Sequence, residues 1–390
     1  MPPFASNVVE LTQALVRIPS VNPDGDPGTD GIGEQQCALY VADFLRSAGA
    51  EVTLEEVEPA RPNVIGRFPT HPSANGGKKP RILFAPHTDT VSVGGMTIDP
   101  FGGELRDGKI WGRGASDTKG PMASMLWALY EMRDEIPSLP VEVHFVGFMS
   151  EESEQLGSQH FTKHHGRYDL AIIGEPTSLK TVFRHKGCLW ADVHTTGVAV
   201  HGATPELGVN AIVKMAKLVS ALDTEFREIL AEAGGEDEWL GASTINLGMI
   251  QGGTRSNIVA DFCKLRLDIR TTPGLQRAGG ALALLTDYVQ RIDETAQVTV
   301  ASEAFHLDTD PENGFVQKLI AAGASLTGAP WFCDAAFLAA AGTPAIAIGP
   351  GSIAQAHTKD EFIAVQDLED GVAFFRRFLA SLGTKNPGLK

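Results

Sequence analysis

RILFAPHTD, residues 81–89, places four apolar residues in a row, closed by proline, then histidine and aspartate. A run that short and that continuous reads as a strand buried on both faces, with polar chemistry at its carboxyl end. VEVHFVGFM (141–149), DLAIIG (169–174) and TPAIAIGPG (343–351) have the same form. Between the first two lies PMASMLWALYEM (121–132), with Met122, Met125, Leu126, Leu129 and Tyr130 at helical spacing. Strands separated by helices predict right-handed crossovers and an α/β domain, a mainly parallel sheet flanked by helices.

From about residue 181 the texture changes. CLWADVHTTG (188–197), STINLGMIQGG (243–253), NIVADFCKLRLDIRTT (257–272) and AQVTVASEA (296–304) read as strands, and helical stretches near 205–222 and 275–292 separate them. The order β-α-β-β-α-β predicts an α+β sandwich of one sheet and two helices. The expected division is therefore a discontinuous domain, 1–180 with 303–390, carrying an inserted domain over 181–302. FVQKLIAAGASLTG (315–328) is helical again, THPSANGGKKP (70–80) reads as a flexible loop, and no internal repeat is visible.

The 390 residues are 43% hydrophobic and 21% charged, an ordinary globular composition with room for two domains. With 48 acidic against 32 basic residues the net charge is −16, which speaks against nucleic acid and anionic membranes as partners. A small anionic substrate stays open, because a local cationic pocket can sit on an acidic surface. The cysteines at 37, 188, 263 and 333 form no C-x-x-C pair, so a disulfide framework or zinc knuckle is not expected. The start, MPPFASNVVELTQAL, lacks the basic and apolar segments of a secretion signal, and no apolar run reaches bilayer length. The expectation is a soluble, cytoplasmic protein.

The candidate chemistry sits at the ends of the predicted strands. His87 and Asp89 close the first; Asp117 lies in WGRGASDTKG (111–120), just before a helix; Glu151 and Glu152 follow the second strand; Glu175 follows the third; and His357 follows the fourth. In an open α/β sheet that edge is where ligands bind. Two imidazoles and three carboxylates can hold two divalent ions about 3.5–4 Å apart, one carboxylate bridging. Such a donor set suits zinc, with cobalt or manganese as substitutes. Singly, each residue has a plainer reading. The paired glutamates could complement a helix dipole, Glu175 before Pro176 could be turn chemistry, and His357 could be a surface histidine. Five separate ends of one sheet each carrying a ligand type is what favours a metal centre.

APHTDTV (85–91), WGRGASDTKG, SEE (150–152), GEPT (174–177) and GPGSIAQAHTKDEF (349–362) resemble, in order and spacing, the motifs of the co-catalytic dizinc aminoacylase and carboxypeptidase family. That family includes acetylornithine deacetylases, succinyl-diaminopimelate desuccinylases, glutamate carboxypeptidases and dipeptidases. The resemblance runs from IPSVNP (18–23) almost to the C-terminus. It implies two zinc ions, with Asp117 bridging, His87 and Glu152 on one, and Glu175 and His357 on the other. It further implies that Asp89 orients the His87 ring and that Glu151, not itself a ligand, is general base and acid toward a water held between the ions.

The same resemblance implies that the inserted domain is a lid and dimerisation domain, so a homodimer is expected. HGATPELGVNA (201–211) is similar to the lid segment whose histidine reaches the partner's active site, which makes His201 the candidate oxyanion stabiliser; the plainer reading is a helix cap. Asn257 and Arg270 match lid positions that contact substrate, Arg270 through a two-pronged grip on a carboxylate; they could equally be a turn residue and a strand-end surface arginine. FRHKG (183–187) and GPGSIAQAH lean toward the acetylornithine deacetylase branch and away from succinylated substrates. WFCDAAFLAAAG (331–342) carries Cys333 where threonine is common, and a catalytic thiol there would compete with the metal reading. The expected reaction is hydrolysis of an N-acyl amino acid. A carboxypeptidase, dipeptidase or desuccinylase on the same centre is the alternative, and a fold retained only for binding is a third.

Overall fold

The structure, a computed structural model, describes residues 5–24, 33–73 and 76–383. Residues 74 and 75 of the expected loop, and the first four residues of the chain, lie outside these. The chain divides into two compact units: Met1–Phe183 with Thr309–Thr327 and Cys333–Lys390, and Arg184–Asp308 with Gly328–Phe332.

The first unit is built on a twisted sheet in the order Glu51–Glu58, Arg61–Arg67, Glu142–Gly147, Arg81–Ala85, Leu170–Ile173, Ala345–Ala347, Lys180–His185. Its heart is parallel: Arg81–Ala85 pairs in parallel with Glu142–Gly147 and Leu170–Ile173, and Ala345–Ala347 pairs in parallel with Leu170–Ile173. Ile82, Leu83, Phe84 and Ala85 are all fully buried, as a strand covered on both faces requires. The edges are antiparallel, which the sequence reading did not resolve. Glu51–Glu58 and Arg61–Arg67 form a hairpin, and Lys180–His185 runs against Ala345–Ala347.

The helix Lys119–Glu131 is buried on every side from Lys119 to Leu129, so its spacing records more than one packed face. The C-terminal helix Val365–Leu382 carries a stripe of Leu368, Phe374, Phe375, Phe378 and Leu379 into the same core. Phe84 meets Phe375 edge-on at 5.9 Å. A separate antiparallel ribbon, Glu104–Arg106, Lys109–Trp111 and Phe362–Ala364, brings the segment after His357 alongside the segment before Asp117.

The second unit is a four-stranded antiparallel sheet, ordered Thr244–Gly252, Phe262–Thr271, Gly187–Thr196, Gln297–Ala304. Alternate residues Leu189, Ala191, Val193, Leu265, Leu267 and Ile269 point into a core completed by Met215, Leu218, Phe226, Leu285 and Tyr288. The first helix starts at Ala211, where the Asn210 side chain caps the Ile212 and Val213 amides, and helical backbone continues through to Gly234. The unit also takes in Gly328–Phe332, which the sequence reading left with the first domain. Those residues join it because the Lys186 amide donates to the Ala329 carbonyl at 3.1 Å and Gly328 packs on Trp239, where a Cβ would meet the Trp239 carbonyl at 2.7 Å. Among the described residues no helix is long and apolar enough to cross a membrane.

His144, on Glu142–Gly147, lies buried with its Nδ1 2.9 Å from the Tyr168 hydroxyl. Burial, reinforced by the positive charges of Arg67 and Arg81, pulls its pKa down to about 4. The folded state therefore holds His144 neutral while the unfolded chain protonates it near 6.5, so this contribution to stability is lost as pH falls from about 6.5 to 4. Denaturant titrations across that window should show a stability limb that flattens in His144→Asn; an unchanged limb would remove His144 as its source.

Candidate metal centre

Each element that carries a site residue reaches the same edge of the sheet. His87 follows Arg81–Ala85 and bridges to Phe148, with Thr88 N–H donating to the Phe148 carbonyl at 2.7 Å. Beyond Phe148 the chain turns sharply: Ser150 and Gln155 adopt left-handed backbone at φ 66° and 50°, uncommon for residues with a side chain. Glu151 and Glu152 sit in that turn, before the helix Leu156–His164, so they are not in a first helical turn where a dipole alone would explain them. His357 is also left-handed, at φ 59°.

The donor atoms converge in two groups that share Asp117. One atom from each of His87, Asp117 and Glu175 lies within 4.8 Å of the others, and the same holds for Asp117, Glu152 and His357. His87 Nε2 is 3.3 Å from Asp117 Oδ1; His357 Nε2 is 2.9 Å from Glu152 Oε2 and 3.4 Å from Asp117 Oδ2. The resemblance had paired His87 with Glu152 and Glu175 with His357. The geometry pairs His87 with Glu175 and Glu152 with His357, although His87 also lies within 4.8 Å of Glu151 and Glu152. Sequence order gives no access to that choice, because all four residues come from different strand ends.

Electrostatics tests whether this donor set fits cations. Burial, with Asp117 beside it, drives the Glu175 carboxyl well above its ordinary value and brings Glu152 up to about 7. Burial does the same to Glu151, with Glu175 and Glu152 adding to it and His87 opposing. For His87, burial opposes a charge, but its contacts with Asp117 and Asp89 prevail and raise its proton affinity. Glu152 Oε1 and Glu175 Oε1 are buried with no hydrogen-bond partner among the described residues. Buried carboxylate oxygens without donors are costly unless something positive meets them, and divalent ions fit both the set and its spacing.

Three further carboxylates hold the ligand loops, each accepting from loop backbone. Asp89 accepts from the Glu151 N–H at 3.0 Å, the Glu152 N–H at 2.9 Å and Asn22 Nδ2 at 2.8 Å. Its own carbonyl oxygen lies 3.0 Å from His87 Nδ1, closer than its carboxylate at 3.3 Å. The expected orienting role toward His87 is thus shared between carbonyl and carboxylate. Glu361 accepts from the Gly114, Ser116 and Asp117 N–H groups at 2.9, 2.7 and 2.9 Å, and from Arg113 at 3.0 Å. Glu34, gripped by Arg61 at 2.8 and 2.9 Å, accepts from the Ser150 N–H at 3.3 Å. Sequence reading assigned no role to Asn22, Glu34 or Glu361; the one signal was that Asn22 and Glu361 lie inside segments already singled out.

Asp334, fully buried, accepts from Ser158 Oγ at 2.5 Å, and burial lifts its carboxyl to about 7. Cys333 beside it is fully buried, with burial and the nearby Glu175 and Glu151 charges raising its thiol well above the usual value, so it is no nucleophile.

The lid candidates lie in the second unit. His201 is exposed and bridges to Ile258, and the Ala203 amide donates to its Nδ1 at 3.1 Å. It caps no long helix, since Asn210 caps the one that follows. Asn257 is exposed in the same corner, its carbonyl accepting from Gly202 N–H at 2.8 Å. Arg270 is near the far end of Phe262–Thr271, with Nε donating to Asp268 at 3.2 Å and its guanidinium 5.4 Å from the Phe332 ring.

Residues 83–381 match the family model of peptidase family M20/M25/M40. Acetylornithine deacetylase of Proteus mirabilis (strain HI4320) is 32% identical over 385 residues, covering 93% of each chain. Among solved structures, aminopeptidase PepT from Bacillus cereus superposes with a TM-score of 0.77 at 20% identity, covering 97% of this chain and 98% of its own. The M20 family metallo-carboxypeptidase from Sulfolobus solfataricus gives 0.74 at 18% identity, covering 97% and 100%. The chain belongs to peptidase family M20/M25/M40 and is a metal-dependent hydrolase.

Because Glu361 orders the Asp117 loop without touching the donor group, Glu361→Gln should weaken ion binding about 10–100-fold. Competition with a chelating dye reads this directly; wild-type affinity would show that the loop holds itself.

Proposed function

We propose that this member of peptidase family M20/M25/M40 hydrolyses the amide bond of an N-acyl amino acid, as an acetylornithine-deacetylase-like deacylase. The observation that carries the reading is the pair of donor triads sharing Asp117. His87 and Glu175 would hold one divalent ion, Glu152 and His357 the second, and Asp117 both. Zinc suits this set, with cobalt or manganese as substitutes. Bound there, the ions would supply a nucleophilic water at neutral pH and withdraw charge from the amide carbonyl.

The chain's own groups do the rest. Among the described residues the Glu151 carboxylate makes no hydrogen bond, while its N–H is fixed on Asp89. It is thus free to take the water's proton and return it to the leaving nitrogen. Asp89 does not touch the reacting atoms; it fixes the backbone from which Glu151 and Glu152 project.

His201 stabilises the oxyanion, and Asn257 and Arg270 contact the substrate, Arg270 with the part of its guanidinium that Asp268 leaves free. Their placement supports contributions from two chains. Arg270 pairs with Cys188, while His201 bridges Ile258 at the other end of the same ladder. The strand from Cys188 runs nine residues to Thr196, about 30 Å, and His201 lies five residues beyond its end. No single small substrate spans that distance, so His201 and Arg270 of one chain serve different substrates. A homodimer through the inserted unit satisfies this, and the edge strand Thr244–Gly252, with Met249 69% and Ile250 58% exposed, offers an apolar edge for it. A cytoplasmic location belongs to this reading, and the four buried free cysteines support it.

The identity with an acetylornithine deacetylase favours a deacylase over a peptidase. The deciding experiment compares kcat/KM of zinc-loaded enzyme on N-acetyl-ornithine, N-succinyl-diaminopimelate, other N-acyl amino acids and dipeptides. Acyl amino acids should lead by at least tenfold and chelation should abolish turnover; a dipeptide at the head of the series would replace the reading.

Glu151→Gln should keep its ions and lose at least about 10³-fold in kcat, combining lost proton transfer with a misdirected water. Mixing it with His201→Ala should restore activity through hybrid dimers. Absence of restoration despite demonstrated subunit exchange would confine His201 to its own chain.

A further inference from the structure

The turn that carries Glu151 and Glu152 is bracketed by two left-handed residues, Ser150 at φ 66° and Gln155 at φ 50°. Glycine takes that conformation freely and glutamine does not. Gln155 holds it while buried, and both of its donors point back into the turn. Its backbone N–H donates to the Ser150 carbonyl at 2.7 Å, and its side-chain Nε2 donates to the Glu151 carbonyl at 2.6 Å. Only the amide nitrogen can face a carbonyl oxygen, so this side chain has one orientation.

The Glu151 carbonyl belongs to the peptide unit that joins Glu151 to Glu152. The N–H of the same unit donates to Asp89 at 2.9 Å. One peptide plane is thus gripped at its oxygen by Gln155 and at its nitrogen by Asp89. A plane held on both sides fixes ψ of Glu151 and φ of Glu152, and with them the angle between the two side chains. Gln155 is itself anchored from behind. Its carbonyl accepts from Ser158 Oγ at 3.1 Å and from Gln159 N–H at 3.2 Å, and Ser158 Oγ donates to buried Asp334 at 2.5 Å. The helix that follows starts hard against the strand end: a Cβ on Gly157 would meet the Met149 carbonyl at 2.5 Å and Asn63 Oδ1 at 2.6 Å.

We propose that Gln155 is a positioning residue for the reaction: its side-chain amide locks the Glu151–Glu152 peptide and so aims the Glu151 carboxylate at the water. This rests on the reading of Glu151 as general base. Gln155 moves no proton and acts only through the backbone it holds. Its loss should therefore appear in kcat and vanish once Glu151 can no longer take a proton.

The test is a double-mutant cycle on zinc-loaded enzyme with the fastest acyl amino acid of the series. Gln155→Met keeps the length of the side chain and removes the donor. It should lower kcat roughly 10–100-fold and leave KM near the wild-type value. In a Glu151→Gln background the same substitution should cost less than about twofold. Amide hydrogen exchange at Glu152 should quicken in Gln155→Met, and competition with the chelating dye should show ions still bound. Gln155→Asn accepts left-handed backbone but is one methylene shorter, so it should repeat these results if the methionine variant folds poorly. A wild-type kcat, an equal loss in both backgrounds, an unchanged exchange rate at Glu152, or a loss that excess zinc repairs overturns the proposal. If Glu151→Gln keeps full kcat, the reading beneath the proposal fails; if it loses kcat while Gln155→Met does not, only the proposal does.

Discussion

The carboxylate of Asp89 is the constraint on which the site depends. One oxygen accepts the Glu151 N–H, the other accepts the Glu152 N–H and Asn22, and its main-chain carbonyl faces His87 Nδ1. A single side chain thereby fixes three segments from different parts of the sequence. Burial alone would push its proton back on. The His87 contact, Asn22 and the Glu152 amide instead hold its pKa below the ordinary carboxylate value. Charge-assisted bonds of this kind are worth roughly 1.5–3 kcal/mol each, enough together to keep a turn with left-handed Ser150 and Gln155 in place.

Glu361 repeats the device on the other side. Its oxygens collect the Gly114, Ser116 and Asp117 amides and Arg113, so the Asp117 loop is ordered from outside the donor group. Glu34 does the same for Ser150. The centre therefore has two tiers of acid groups that differ in their hydrogen-bond partners. The outer tier is satisfied by donors from the protein. In the inner tier Glu152 and Glu175 each have an oxygen without a partner among the described residues, and burial beside Asp117 raises their proton affinity. An arrangement that spends donors on the scaffold and withholds them from the inner carboxylates is one shaped for cations.

Much of this was legible in the sequence because strand ends are local. Four apolar runs, each followed by an acid or histidine, pointed to one sheet edge and to His87, Glu152, Glu175 and His357, while Asp117 was singled out in its own segment before a helix. What stayed hidden was what depends on neighbours in space. Which imidazole lies nearest which glutamate is set by the folded loops, since Arg81–Ala85 is flanked by both Glu142–Gly147 and Leu170–Ile173, and no spacing encodes that. The hairpin Glu51–Glu58 with Arg61–Arg67 escaped because EVTLEEVE is half charged, as an edge strand tolerates. Asn22 and Glu361 carry no pattern that marks a backbone acceptor or donor; only the folded loops show it. The return of Gly328–Phe332 to the second unit rests on a bond to Ala329 and the absence of a side chain at Gly328.

The second unit divides its labour along the length of its strands. Mid-strand, the inward residues of Gly187–Thr196 and Phe262–Thr271 form the core. On the outer face Asp192 is held by Arg266 at 2.7 and 2.8 Å and by Lys264 at 2.7 Å, which draw its pKa below the usual carboxylate range. Those contacts spend the Asp192 carboxylate on Arg266 and Lys264. Residues with unspent polar capacity lie toward the ends: the His201 and Asn257 corner at one, Arg270 at the other. A rigid sheet of that length cannot bring its two ends to one small molecule by flexing, since its ladder is continuous from Arg270 to Ile258 apart from the short run beyond Phe262.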